Sequence, residues 1–193
     1  MEVDIYDEED EQGKIFCLEI VEDIEEENTS DLFTFLEHLA LNFKLTSVYK
    51  TCDSFEGFED SISNLLFHDR DFRDYNFIYL VVSGENNQVQ IDDYFYSLEE
   101  IAELFQGKLT DKIVHFANTK NLELDEETFQ YFLAVTGVKA ISGYVNSATT
   151  FSSVLDQYYF TLANQHDDVV DLVHALFEKD ASLCMKLGFR LYY

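Results

Sequence analysis

The stretch Phe77-Ile78-Tyr79-Leu80-Val81-Val82-Ser83-Gly84 constrains this chain more than any other. Six apolar residues running into Ser-Gly predict a strand buried on both faces and closed by a tight turn. Strands covered on both faces belong to parallel sheets held between helix layers. In such sheets ligands gather beyond the carboxyl ends of the strands, where Ser83 and Gly84 are expected. A second strand, Lys112-Ile113-Val114-His115-Phe116-Ala117, carries Asn118, Thr119 and Lys120 to the same edge. With the two strands as neighbours, Ser83, Gly84, Asn118, Thr119 and Lys120 make the expected pocket.

The remaining chain alternates strand and helix. Residues 15–20 read as a first strand and 46–51 as a second, followed later by 138–142. Leu32, Phe35, Leu36, Leu39 and Phe43 fall on one helical face, with Thr29 or Ser30 as N-cap. Asp53 and Glu56 open a second helix, faced by Phe58, Ile62, Leu65 and Leu66. Gln88 to Ile91 and Tyr94 to Tyr96 read as a hairpin across Asp92-Asp93. Ser97-Leu98-Glu99-Glu100 is a capping box, and the helix it starts is expected to stop at Gly107. Asp125 starts another helix, with Gly137 as its left-handed cap, and Gly143 turns the chain out of the fifth strand. Two amphipathic helices follow, the first with Phe151, Val154, Leu155, Tyr158 and Leu162 inward. Phe189, Leu191 and Tyr193 alternate as a final edge strand. The expectation is one three-layer αβα sandwich over residues 14–193, strand order 2-1-3-4-5, mostly parallel with an inserted β-hairpin. Residues 1–13, with seven acids in the first eleven positions, are expected to be a solvated, disordered acidic tail.

Charge narrows the partners. With 39 acids against 12 bases, the formal net charge is -27. Nucleic-acid affinity depends on Lys and Arg displacing counterions, so direct DNA or RNA binding is not expected. The plain reading of such a surface is that it keeps the chain in solution; attraction of a basic protein partner and imitation of DNA are the other uses it allows. Cys17, Cys52 and Cys184 are odd in number and widely spaced, which disfavours disulfides or structural zinc. Asp69, Asp71 and Asp74 lack the glycine and bidentate glutamate of a calcium loop, so neither metal nor cofactor is expected. No apolar run is long enough to span a membrane and no secretory signal is evident; the expected location is cytoplasmic.

The phrases Lys14-Ile15-Phe16-Cys17-Leu18-Glu19, Ile78 to Gly84, Ser97 to Leu104, Val114 to Thr119 and Phe132 to Tyr144 together resemble the caspase-like superfamily of cysteine peptidases (clan CD). More closely, the chain is similar to an uncharacterised bacterial group of CHAT-related domains. The resemblance implies a catalytic His before the Gly of strand three and a Cys at the end of strand four. Those positions here match Ser83 and Thr119, so it implies the scaffold without the catalytic pair. His115 lies within a strand and reads as a buried, hydrogen-bonded structural histidine.

The resulting expectation is a catalytically inactive, pseudo-peptidase module that binds protein through an acidic face, with bacterial defence or signalling as the setting. One alternative is a hydrolase using Thr119 or Ser83 with Lys120 as base. The other is an acidic decoy that mimics DNA.

Overall fold

In the computed structural model, residues 13–24, 31–146 and 153–193 are described, apart from the side chains at 118–120 and 153. Residues 1–12 and the cap positions Thr29 and Ser30 lie outside that set, as does Phe151. Gly13 is already part of the folded body: it is buried and its carbonyl accepts from Thr46 N at 3.1 Å.

The elements run β1 (Lys14–Ile20), α1 (Asp31–Phe43), β2 (Thr46–Cys52), α2 (Phe55–Phe67), β3 (Tyr75–Glu85), β4 (Gln88–Ile91) and β5 (Tyr94–Ser97). Then follow α3 (Leu98–Leu104), β6 (Ile113–Lys120), α4 (Glu126–Thr136), β7 (Ala140–Tyr144), α5 (Ser153–Ala163), α6 (Val169–Leu187) and β8 (Phe189–Tyr192). The sheet order is β2-β1-β3-β6-β7-β8, with β4 and β5 added as a hairpin on the end of β3. The first five strands are parallel, and β8 closes the far edge antiparallel to β7. This is the αβα sandwich and strand order that the alternation implies.

β3 explains why its sequence is apolar without a break. Ile78, Leu80 and Val82 pack into one core with Phe58, Ile62, Ile101 and Phe132 from α2, α3 and α4. Phe77, Tyr79 and Val81 point the other way, to Leu36 of α1, Leu155 of α5 and Leu176 of α6. Fully burying one such aliphatic or aromatic side chain contributes about 1.5–3 kcal/mol. Each of the six residues from Phe77 to Val82 therefore anchors one helix layer.

Local signals hold at several helix ends. Ser97 and Glu100 form the reciprocal capping box of α3. Asp125 accepts from Thr128 N, and Gly137 caps α4 with φ 70°. Elsewhere the structure corrects the sequence. The N-cap of α2 is Ser54, accepting from Gly57 N, not Asp53. α3 ends at Phe105, in right-handed geometry, two residues before Gly107. β7 begins at Ala140 and takes in Gly143, which does not turn the chain. A Cβ on Gly143 would lie 2.3 Å from a Leu122 methyl, so glycine is there for close packing. The fully buried face of α5 is Leu155, Asp156, Tyr159 and Phe160, with Tyr158 and Leu162 half-buried against the same core as expected, while Val154 is 52% exposed. α6 is two helices joined at Asp180, whose backbone is non-helical (φ -156°, ψ 76°) and whose carboxylate accepts from Leu183 N to start the second.

An acidic cleft over the carboxyl ends of the strands

β3 and β6 are neighbours, as the pocket requires, but both run farther than their apolar cores. Ser83 and Gly84 lie within β3, which continues to Glu85, and Asn118, Thr119 and Lys120 lie within β6. The pairing of Gly84 with Val89 of β4 holds β3 extended past the expected turn. The turn comes instead at Asn86 and Asn87, both with positive φ (55° and 60°), where asparagine is among the better-tolerated residues.

Register places the two strand ends side by side. Val81 pairs with Ala117 and Gly84 with Thr119, so Val82 and Ser83 together face the single residue Asn118. This bulge re-aims the strand near its end. Ser83 emerges exposed. Gly84 has a packing reason of its own: a Cβ there would lie 2.2 Å from Gln88 O. The hairpin tip is clamped to the segment after β6 by Asn87, whose Nδ2 donates to Glu123 O (2.8 Å) and whose Oδ1 accepts from Glu123 N (2.9 Å). Asn121 Nδ2 adds a bond to Asn86 Oδ1 at 3.1 Å.

On the β1 and hairpin side of this rim is a cleft of about 450 Å³, lined by Ile20, Val21, Glu22, Asp53, Ser83, Gln90, Asp92 and Asp93. Four of these eight residues are acids and none is basic. Of the five residues expected to form the pocket, Ser83 lines this cleft. Gly84 sits at its rim, paired through the backbone with Thr119. The side chains of Asn118, Thr119 and Lys120 are outside the described set. The cleft reaches Asp53, the residue that follows the edge strand β2.

That reach brings in Cys52, at the carboxyl end of β2 and only 2% exposed. Burial, and then the negative charges of Asp53 and Asp92, push its thiol up to about 12. A thiol so held is protonated at neutral pH and a poor nucleophile. Cys17 is likewise pushed well up by burial, and Cys184 is raised for the same reason.

The imidazole nearest the strand ends faces away from the cleft. His115 is fully buried in the layer of α5, with Nδ1 2.8 Å from Ser142 Oγ and Nε2 3.0 Å from Asp156 Oδ1. Asp156 also accepts from Tyr79 Oη at 2.7 Å and from Tyr144 Oη. Three donors from β3, β6 and β7 thus meet one carboxylate of α5, and every member is 0–1% exposed. Tyr79 is held well above its ordinary phenol range, chiefly by burial and then by the Asp156 charge. Tyr159 Oη, also buried, makes no bond of full geometry; Ser142 is close enough only to offset part of its burial. The set Ser142, His115, Asp156 has the residue types of a hydrolytic triad, yet it is sealed from substrate and works as a structural tie. Sequence reading found His115 and its burial but missed Ser142, Asp156, Tyr79 and Tyr144.

Asp69, Asp71 and Asp74 hold no metal-like arrangement. Lys14 Nζ lies 3.1 Å from Asp71 and 3.4 Å from Asp74, and Tyr75 Oη donates to Asp69 at 2.9 Å. Among the described residues no group of three His, Cys, Asp or Glu side chains is placed to hold a metal ion. Among the described residues no helix is long and apolar enough to cross a membrane.

The chain belongs to a family of unknown function, DUF6642, whose model matches residues 12–193. No curated protein matches it.

Proposed function

We propose that this DUF6642 chain acts by binding: it is a caspase-like domain without its catalytic pair, and its acidic cleft receives a basic segment of a partner protein. The observation that carries the reading is the cleft lining, in which Glu22, Asp53, Asp92 and Asp93 surround Ser83 and neither imidazole nor thiol takes part. A hydroxyl at the Ser83 position needs an adjacent base to become a nucleophile, and the titratable groups among the described lining residues are carboxylates, weak bases at neutral pH. The same carboxylates attract Lys and Arg, and the concave wall strengthens their field relative to an open surface. The inserted hairpin supports this role, because it brings Gln90, Asp92 and Asp93 over the rim and is itself braced by Asn87.

Net charge alone would attract any basic peptide, so the test separates the cleft from the surface. A hexalysine peptide is titrated at two salt concentrations against the protein and against the triple variant Asp53→Asn, Asp92→Asn, Asp93→Asn. The expected result is a loss of affinity of about tenfold or more, far beyond the screening effect of removing three charges from 39 acids. Equal loss on removing three exposed acids elsewhere, such as Glu126, Glu127 and Glu178, assigns the binding to general surface charge and overturns the reading.

A further inference from the structure

The sheet ends in two edge strands, β2 and β8, each without a strand partner on its outer side among the described residues, and their surroundings differ in charge. A groove of about 320 Å³ runs between β8 and the first half of α6, walled by Val173, Phe177, Leu191 and Tyr193. His174 and Arg190 also line it, and no Asp or Glu side chain is among its described lining residues. Three other hollows carry acids: Glu37 beside β2, Glu59, Glu100 and Glu103 between α2 and α3, and the four of the cleft. On a chain with 39 acids and 12 bases, this groove is matched to a different ligand from the cleft.

Arg190 sharpens the match. It is exposed, its guanidinium donates to Phe189 O at 3.3 Å, and among the described residues it has no carboxylate partner. Strand alternation turns Phe189 and Leu191 toward α6 and Tyr192 toward the opposite layer, where it lies beside Phe129 with ring centroids 5.7 Å apart, while Arg190 stands exposed at the rim of the groove. A peptide strand added to β8 would share this pleat, with alternate side chains over the apolar groove and the others level with Arg190. A charged residue on a short edge strand also discourages self-pairing. That duty does not require an apolar groove beside it whose described lining holds no Asp or Glu.

We propose that the outer edge of β8 docks an extended segment of a partner protein, apolar at the positions facing α6 and acidic at the position facing Arg190. This surface is separate from the acidic cleft and selects the opposite charge.

The test uses the full chain, 15N-labelled, and the synthetic peptide acetyl-Thr-Val-Glu-Val-Thr-Val-amide. The expected outcome is amide shift changes confined to residues 169–177 and 189–193, with slowed exchange of β8 amides. Arg190→Glu is expected to weaken binding about tenfold or more, and the same peptide with Lys for Glu to recover it on that variant. Arg190 is exposed, so circular dichroism should show an unchanged fold. Shift changes centred elsewhere, indifference to Arg190→Glu, or no change at millimolar peptide would overturn the proposal. A dimeric mass with β8 amides already protected before peptide is added would assign the edge to a second copy, and would overturn it equally.

Discussion

The cleft above the sheet and the knot of side chains beneath it use the same few residue types to opposite ends. In the cleft, Asp53, Asp92 and Asp93 stand beside an exposed serine, and Asp53 accepts a long bond from Ile24 N at 3.5 Å. In the knot, one carboxylate, Asp156, accepts from two tyrosines and a histidine and is sealed from water. Serine, histidine and aspartate therefore occur together, but where no substrate reaches them. Residue type does not make a catalytic site; access and a free proton acceptor do. Here access belongs to the carboxylates of the rim, weak bases at neutral pH, and the imidazole of His115 belongs to the core.

The comparison breaks first at Asp156. Asp156→Ala strands three buried donors, and urea unfolding should show a loss of about 3–5 kcal/mol. His115→Ala should cost a similar amount, and the double variant less than the sum, since both remove the same contact. A loss below about 1 kcal/mol for Asp156→Ala would mean that the knot is not a tie.

Gly84→Ala should cost about 1–3 kcal/mol by overpacking against Gln88 O, even though it touches no catalytic group. A neutral effect would mean that the hairpin gives way easily, and the cleft wall with it.

The alkaline limb of stability reports the core groups next. Cys17, Cys52, Tyr79 and Tyr75 all hold their protons more tightly folded than unfolded, chiefly through burial. Raised acid pKa values mean that the unfolded chain releases protons first as pH rises. Stability contributed by these groups is full below pH 9, the ordinary thiol value, and falls above it as the unfolded thiols and then phenols ionise. Denaturant midpoints measured from pH 8 to 11 check this, and a flat profile would contradict it.

The smallest effect belongs to the cleft. Asp92→Asn and Asp93→Asn lie on an exposed turn and should change stability by less than about 0.5 kcal/mol, with any change favourable through relief of repulsion. A large loss would show that these acids are structural after all.

What the sequence discloses follows the same division. The capping box at Ser97, the caps at Asp125 and Gly137, the hairpin across Asp92-Asp93 and the strand order rest on local signals or on right-handed crossovers, and these were legible. The knot was not. Asp156 on an amphipathic helix reads as solvent-facing, and its burial is decided by Tyr79, 77 positions away, and His115, 41 positions away. A polar-tipped aromatic in each of two core strands, Tyr79 and Tyr144, was the available hint that a buried acceptor lay opposite. The rim was legible as a place, through Ser83 and Gly84, yet the pairing of Gly84 with Val89 that extends β3 beyond it depends on a hairpin register no propensity reveals.

Covalent probing of the cleft tests the central claim most directly. The intact protein is incubated at pH 7.5 with a fluorophosphonate and, separately, with an acyloxymethyl ketone directed at reactive thiols, and its mass is then measured. The account predicts an unchanged mass with both. An adduct on Ser83 or Thr119 that disappears in Ser83→Ala or Thr119→Ala, or a thiol adduct on Cys52 in the folded protein, would contradict it.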